Sequence, residues 1–302
     1  MSTLPDPLAP ENHQPAPGPQ PTGEARQVLR IIGGRAASDG AGVRLTRIIG
    51  GPELPQLDPF LLLDEFRSDQ PDEYLAGFPD NPHRGFETVT YMLAGRMRHR
   101  DSKGNAGLLS AGSVQWMTAG RGIIHSEMPE QEEGLLWGFQ LWVNLPAADK
   151  MRAPRYQDIA AEQIPECVLP GGAKVRVIAG SMLGTDGPVQ AVATEPVYLD
   201  IELPPGAEIA TPLPVSLSGF VYVFQGAAMI GEGAGARRVE QGELGALDQS
   251  PRFVASAGAT GARLLLVAGR ALNEPIARYG PFVMNTREQI VQAVEDFNAG
   301  RF

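Results

Sequence analysis

The chain has 302 residues, of which 43% are hydrophobic and 20% are charged, so it can bury a substantial core in one or two domains. Its net charge of −10 excludes the broad basic surface that direct nucleic-acid binding requires. The single cysteine, Cys167, excludes a disulfide framework and a thiolate metal cluster. Without a signal-like start or a long apolar run, we expect a cytoplasmic protein that makes no membrane contact.

Residues 1–27 are predicted to form a disordered, proline-rich tail, because they contain seven prolines and almost no large apolar side chain. His13 lies in this tail, where we expect it to be solvated. The segments 28–34 and 43–51 follow, and both end in Arg-Ile-Ile-Gly-Gly. They predict two strands joined by the Gly- and Asp-rich turn at residues 38–42.

Short segments with alternating apolar residues, broken by glycines, predict an antiparallel β domain over residues 28–148. The charged stretch 149–170 is interpreted as a connector. Residues 171–302 repeat the first half in outline. The matching pairs are 88–95 with 220–226, 109–113 with 239–243, and 141–143 with 265–267. This order predicts a duplicated β-barrel, followed by a helix that begins at Thr286, with Glu288 at capping distance and an apolar face formed by Ile290, Val291, Val294 and Phe297.

The densest group of chemically active side chains lies in the first half, which holds all four histidines. On a strand, residues two apart share a face, so Asn81 pairs with His83 and His125 pairs with Glu127. Two such pairs on adjacent strands can converge on one cation. Imidazole and carboxylate ligands suit iron, manganese, nickel, copper or zinc.

Several longer stretches carry a resemblance to the pirin family. They are Leu57-Asp58-Pro59-Phe60-Leu61-Leu62, Pro82-His83-Arg84-Gly85-Phe86-Glu87-Thr88-Val89, Val114-Gln115-Trp116-Met117-Thr118-Ala119-Gly120-Arg121-Gly122-Ile123, Leu141-Trp142-Val143-Asn144-Leu145 and Gly280-Pro281-Phe282-Val283-Met284-Asn285-Thr286. The resemblance runs from about residue 28 to residue 302 and leaves out the tail.

This resemblance implies an all-β bicupin with two antiparallel, jelly-roll-like barrels and a C-terminal helix, in which only the N-terminal barrel binds a metal. It also implies an iron site, Fe(II) or Fe(III), of three histidines and one glutamate. Carried over by position, His83, His125 and Glu127 are ligands. Asn81 stands where the family has its first histidine.

The sequence leaves three interpretations of Asn81 open. Its amide oxygen coordinates weakly, or it hydrogen-bonds a metal-bound water beside a two-histidine, one-carboxylate set, or the site is degenerate. Because an amide has no strongly basic nitrogen, we expect low metal occupancy and a larger loss of affinity for later metals than for iron or manganese.

Other candidates have structural interpretations. His99 is expected to be a supporting polar residue, and Glu87 is an alternative ligand. The Gly120-Arg121-Gly122 run predicts a tight turn rather than a phosphate site. Cys167 is expected to be a buried, inert thiol. One set of large side chains fits core packing better than a pocket for a flat aromatic substrate: Met92, Met117, Met128, Trp116 and Phe139.

Two functions follow from the resemblance. One is a quercetin (flavonol) 2,3-dioxygenase, in which a flavonol and O2 react at a mononuclear non-haem metal with Glu127 as the base, with ring cleavage and loss of carbon monoxide. The alternative is a non-catalytic regulatory protein, with or without metal, that binds a partner protein. In either case we expect a monomer.

Overall fold

The computed structural model describes residues 22–302. The predicted disorder of residues 1–21 and the solvation of His13 therefore lie outside the described residues. Residues 24–27, which the sequence assigns to the tail, are held by the second domain. Arg26 is fully buried there and donates hydrogen bonds to the backbone carbonyls of Ser250, Leu217 and Pro214.

The described chain is almost entirely strand. Its first half contains β1 (Val28–Gly33), β2 (Arg35–Asp39), β3 (Val43–Ile49), β4 (Phe60–Ser68), β5 (Phe78–His83), β6 (Phe86–Ala94), β7 (Met97–Asp101), β8 (Ala106–Leu109), β9 (Val114–Thr118), β10 (Ile123–Pro129), β11 (Leu136–Asn144) and β12 (Arg155–Ile159). Its second half contains β13 (Glu166–Val168), β14 (Lys174–Ala179), β15 (Ser181–Met182), β16 (Thr185–Asp186), β17 (Val197–Leu203), β18 (Glu208–Pro212), β19 (Leu217–Ile230), β20 (Arg237–Glu240), β21 (Glu243–Leu247), β22 (Arg252–Arg270), β23 (Ala277–Tyr279), β24 (Phe282–Met284) and the helix α1 (Arg287–Asn298).

The strands form two domains with the same strand order. In the first domain, a seven-stranded sheet has the order β12-β9-β6-β11-β4-β3-β2, and a four-stranded sheet has the order β5-β10-β7-β8. In the second, the main path of the sheet is β1-β21-β19-β22-β17-β14-β13. The core β9-β6-β11-β4 of the first sheet thus corresponds to β21-β19-β22-β17 of the second. This correspondence confirms the predicted all-β duplication.

The repeated glycines mark equivalent turns in the two domains. Gly112 precedes β9 and Gly242 precedes β21, and both have a φ of +83°. A left-handed conformation of this kind favours glycine, because it has no Cβ. The sequence match between 109–113 and 239–243 therefore reflects one backbone turn used twice.

Within residues 22–302, the first strand lies with the second domain and the last residues lie with the first. β1 pairs with β21 of the second sheet, and Val28 is buried in that domain's apolar interior. β3 instead pairs with β2, so the hairpin predicted between 28–34 and 43–51 is wrong in its first strand. β2 is the direct neighbour of β3 across the turn Gly40–Gly42, which is why it takes the place predicted for β1. At the other end, residues 277–302 return to the first domain.

The two large sheets pack face to face through aromatic side chains. Phe60 meets Phe220 with ring centroids 5.3 Å apart, and Phe139 meets Phe224 at 5.2 Å. Burial of such rings contributes about 2 to 3 kcal/mol each to folding. Polar contacts also cross the same interface: the Tyr91 hydroxyl donates to Asp200 at 2.5 Å, and the Tyr222 hydroxyl donates to Glu65 at 2.5 Å.

The interiors of the two domains differ in polarity. The second domain is filled by small and branched apolar side chains, among them Val177, Leu199, Ile201, Val221 and Leu264. The first domain also has an apolar end, but its other end carries buried imidazole, hydroxyl and carboxylate groups. The chemistry is therefore confined to one end of the first domain.

The helix begins as predicted at Thr286, whose side chain accepts a hydrogen bond from the backbone N–H of Gln289. The capping partner is Gln289 rather than Glu288, because it occupies the third helical position. Ile290 is buried, whereas Val291, which was predicted to lie on the apolar face, is half exposed. No helix in the described range 22–302 is long and apolar enough to cross a membrane.

Candidate metal centre

The candidate residues lie on the four-stranded sheet of the first domain. β5 and β10 run antiparallel, with His125 directly opposite Asn81. On the other side of β10, Glu127 lies opposite His99 of β7. Direct cross-strand partners share a face, as do residues two apart on one strand. Asn81, His83, His125, Glu127 and His99 therefore share the inner face of this sheet.

The two imidazoles of His83 and His125 are in contact. Their ring centroids are 4.8 Å apart, with an angle of 66° between the planes. The amide nitrogen Nδ2 of Asn81 lies 3.4 Å from Nε2 of His83. The Phe86 and Trp142 rings pack edge-on against the His83 ring at 5.2 and 5.3 Å. The structure therefore brings three of the four predicted ligands together: the side chains of Asn81, His83 and His125 form one compact group.

Both histidines are held in the neutral form. Burial lowers the pKa of His83 well below its ordinary value, and the neighbouring His125 lowers it further, while the backbone carbonyl of Pro281 opposes this shift. Burial also lowers the pKa of His125, and the negative charge of Glu127 opposes that shift. Neutral imidazole is the form that binds a metal ion.

Three buried polar atoms of this group have no hydrogen-bond partner. They are Nδ1 of His83, Nδ1 of His125 and Oδ1 of Asn81. Leaving such an atom buried and unpaired costs roughly 1 to 3 kcal/mol. Unpaired atoms of this kind at one place are a mark of a site that takes a ligand.

Glu127 is fixed by two hydrogen bonds from the seven-stranded sheet. Thr90 Oγ1 donates to its Oε1 at 2.7 Å, and Gln140 Nε2 donates to its Oε2 at 2.9 Å. Thr90 and Gln140 are themselves direct partners across β6 and β11. Both sheets therefore contribute to the orientation of this buried carboxylate.

The donor chemistry suits a single first-row metal ion. Two neutral imidazoles, an amide oxygen and a carboxylate on one inner face are ligand types that iron, manganese, nickel, copper and zinc accept. Among residues 22–302, no group of three or more His, Cys, Asp or Glu side chains converges closely enough to hold an ion. In this conformation Glu127 faces Thr90 and Gln140, and the group that converges is the histidine pair with Asn81.

His99 is placed beside the site rather than in it. Its Nε2 lies 3.3 Å from Oδ2 of Asp158, and its ring stacks on Tyr156 with centroids 5.5 Å apart. Its position opposite Glu127 fits the supporting role expected from the sequence. A Cβ on Gly107 would lie 2.3 Å from His99 Nε2, so the glycine leaves the space that the ring occupies.

Glu87 is not brought to the histidines. It lies on β6 three residues from Thr90, and therefore on the opposite face of that strand. Its Oε1 accepts a hydrogen bond from Thr118 at 2.6 Å, and burial raises its pKa. The alternative ligand proposed from the sequence thus points into the region between the two large sheets.

The remaining sequence candidates have structural roles. Gly120 and Gly122 both have positive φ in the turn before β10, as the tight-turn interpretation requires. The five large side chains considered for an aromatic pocket do not line one cavity, because Trp116 and Phe139 lie between the domains and Met92 lies at the apolar end of the first. Cys167 is half buried, not buried as expected, because β13 lies at the edge of its sheet.

Sequence reasoning missed the groups that support the site. Thr90 and Gln140 could have been found, since polar residues at alternate positions of an otherwise apolar strand indicate a polar inner face. Trp142 was seen only as part of a family motif. Pro281, which is 198 residues from His83, was likewise seen only as part of a family motif, and nothing in the sequence indicated that it lies beside that histidine.

Two antiparallel β domains with one strand order, one carrying a buried imidazole pair and the other filled with apolar side chains, define a bicupin. Comparisons with known proteins agree with this class. Residues 42–143 match the Pirin family model, and residues 198–302 match the model of the Pirin C-terminal cupin domain. The chain belongs to the pirin family.

Two relatives and one solved structure show the extent of the similarity. A Pseudomonas aeruginosa protein named "Putative quercetin 2,3-dioxygenase" is 52% identical over 281 residues, covering 91% of this chain and 97% of that protein. A pirin-like protein of Caulobacter vibrioides is 49% identical over 278 residues, covering 92% and 99%. The crystal structure of a quercetin 2,3-dioxygenase from Acinetobacter baumannii has a TM-score of 0.84 at 33% identity, covering 92% and 98%.

Proposed function

We propose that this pirin-family chain is a mononuclear, metal-dependent dioxygenase that cleaves a flavonol such as quercetin. The observation that carries the proposal is the histidine pair: two buried, neutral imidazoles in contact, with unpaired ring nitrogens, beside an unpaired amide oxygen. The relatives named for quercetin cleavage support the choice of substrate.

His83 and His125 would hold the ion, with Asn81 Oδ1 and Glu127 as the oxygen donors on the same inner face. Iron is our first choice, and manganese, nickel, copper and zinc are the other metals that this donor set accepts. Asn81 replaces a basic imidazole nitrogen with a weak amide oxygen, so we expect purified protein to carry less than one ion per chain.

The bound ion would act as a Lewis acid that makes the flavonol 3-hydroxyl more acidic. Glu127 then takes the hydroxyl proton, since a carboxylate within reach of an acidified hydroxyl is a competent base. Thr90 and Gln140 hold its two oxygens on the inner face of the domain, and Glu127 would turn from one of them to take the proton. The Phe86 and Trp142 rings around His83 exclude water from that side.

The test is quercetin consumption by the purified protein, followed by absorbance in air and under nitrogen. Iron, manganese, nickel and copper are supplied in turn, and the metal content is measured by mass spectrometry. We expect oxygen-dependent loss of quercetin that scales with metal content. Absence of turnover with all four metals at confirmed occupancy would overturn the proposal.

The role of Glu127 is tested by Glu127→Gln, with Glu133→Gln as the control because Glu133 is exposed. We expect the Glu127 variant to lose at least about 100-fold in kcat, the lower end of the range for a general base, and the control to be unchanged. If Glu127→Gln turns over at the wild-type rate with unchanged metal content, Glu127 is not the base.

A further inference from the structure

The segment 281–302 returns from the second domain and packs behind the histidine pair. β24 runs beside the residue that follows His83: the backbone N–H of Arg84 donates to the Pro281 carbonyl at 3.3 Å, and the N–H of Val283 donates to the Arg84 carbonyl at 3.0 Å. The residue that follows β5 is therefore paired, through an isolated parallel bridge to Phe282, with a strand that is nearly 200 residues away in the sequence.

The Arg84 side chain is buried and joins three parts of the chain. Its Nε donates to the carbonyl of Arg121 at 2.6 Å, and its Nη1 donates to Oδ2 of Asp296 at 2.8 Å. Its guanidinium also lies over the Phe302 ring, 4.5 Å from the centroid. The planar, multiply donating guanidinium is suited to such fixed contacts, which a single ammonium group cannot reproduce together.

These contacts fall next to both histidines. Arg84 directly follows His83, and Arg121 lies in the turn that leads into β10 and His125. The Phe302 ring lies against Gly122 of the same turn, where an added Cβ would be 2.8 Å from a ring carbon. Ile124 points away from the inner face occupied by its neighbour His125, and packs against the apolar cluster that contains Phe302.

Metal-binding histidines are usually oriented by a hydrogen bond from the second ring nitrogen to a carbonyl or carboxylate. Here Nδ1 of His125 has no such partner, and Nδ1 of His83 makes no well-formed hydrogen bond, although the Pro281 carbonyl of the segment 281–302 acts on the His83 ring. Their orientation must therefore come from the backbone and from the packing around it. The Arg84 contacts are placed to supply this constraint.

We infer that Arg84, clamped between the Arg121 carbonyl, Asp296 and Phe302, is a positioning residue that sets the spacing of the His83 and His125 imidazoles. This inference rests on the proposed metal site for its function, but the clamp itself is a property of the metal-free protein. The segment 281–302 therefore helps to position the histidines of the first domain.

The experiment compares Arg84→Ala and Arg84→Lys with the control Arg301→Ala. Arg301 binds the other oxygen of Asp296 from the exposed side, so its loss leaves the Arg84 contact in place. Ni²⁺ affinity is measured by calorimetry, and the imidazole nitrogens of ¹⁵N-histidine-labelled, metal-free protein are observed by NMR.

We expect Arg84→Ala to weaken Ni²⁺ binding by about 10- to 100-fold, the range for residues that orient metal ligands. It should also broaden or split the His83 and His125 imidazole signals. Arg84→Lys should recover part of the affinity, and Arg301→Ala should match the wild type. Wild-type affinity and unchanged imidazole signals in a folded Arg84→Ala variant would overturn the inference.

A second pair of variants covers the case in which Arg84→Ala does not fold. Phe302→Ala removes one side of the clamp, and Tyr279→Ala removes an aromatic ring that is 67% exposed on β23, just before the segment 281–302. Only Phe302→Ala should alter the imidazole signals; equal effects from the two variants would contradict the clamp. If the wild type binds no metal, the proposed function fails, whereas the NMR comparison still decides the role of Arg84.

Discussion

Asn81 and His125 are direct partners across the β5–β10 ladder, and the buried amide oxygen of Asn81 has no hydrogen-bond partner. Residue 81 therefore faces the imidazole pair with an amide, a weaker donor than the histidine that the family resemblance implies at this position. We therefore expect the identity of residue 81 to affect how tightly the imidazole pair holds a metal ion.

Asn81→His is expected to raise Ni²⁺ affinity by at least about tenfold and to increase metal occupancy after purification, because imidazole nitrogen is a stronger donor than an amide oxygen. Calorimetry and mass spectrometry measure the two quantities. Asp80→His is the matched control, since Asp80 is exposed one residue earlier on the opposite face. Equal affinities for the wild type and Asn81→His would show that residue 81 does not bind the metal.

Thr90→Val is expected to lower the free energy of unfolding by about 1.5 to 3 kcal/mol, the value of a hydrogen bond to a charged group. It should also lower quercetin turnover, because Thr90 orients Glu127. The control is Thr118→Val, which removes the same kind of bond from Glu87 on the other face. Urea unfolding should show similar losses of unfolding free energy for both variants. If Thr118→Val lowers quercetin turnover as much as Thr90→Val does, Thr90 has no special role in orienting Glu127.

Gly85→Ala is expected to destabilise the protein far more than Gly104→Ala. Both glycines have nearly the same φ, +90° and +88°, so both pay a similar conformational cost of about 1 kcal/mol. At Gly85, however, a Cβ would lie 2.0 Å from the Val283 carbonyl oxygen, whereas nothing lies within 4 Å at Gly104. Comparing the thermal unfolding of the two variants isolates the effect of this contact. Equal losses of stability would mean that Val283 moves aside freely.

Lys150 gives the protein a specific pH dependence. It is buried and donates to the carbonyls of Gly85 and Val283 and to Oδ1 of Asn144. Burial lowers its pKa to about 8, against an ordinary value of 10.5, while the charge of Glu274 opposes the shift. Between these values the unfolded chain binds more protons, so this group makes the protein more stable as the pH rises.

We therefore expect the unfolding free energy of the wild type to rise by about 1 kcal/mol relative to that of Lys150→Met between pH 7.5 and pH 9. Urea titrations of both proteins at each pH measure this difference, and titrations shared by the two proteins cancel. A difference that stays constant over this range would place the folded-state pKa of Lys150 above it.

The strand face on which each site residue lies could be predicted from the sequence. Alternation alone placed Asn81 with His83 and His125 with Glu127, because side chains two apart on a strand share a face. The repeated glycines likewise predicted the duplicated sheets. These features depend on local backbone geometry, which a few adjacent residues determine.

The tertiary structure decided what depends on contacts between distant segments. The packing of β6 decided that Thr90 contacts Glu127, whereas Glu87, on the opposite face of the strand, contacts Thr118. Nothing in the local sequence indicated that β1 joins the second sheet or that residues 281–302 pack behind the first. Loop closure over such lengths costs little additional entropy, so only the packing of the whole chain selects these partners.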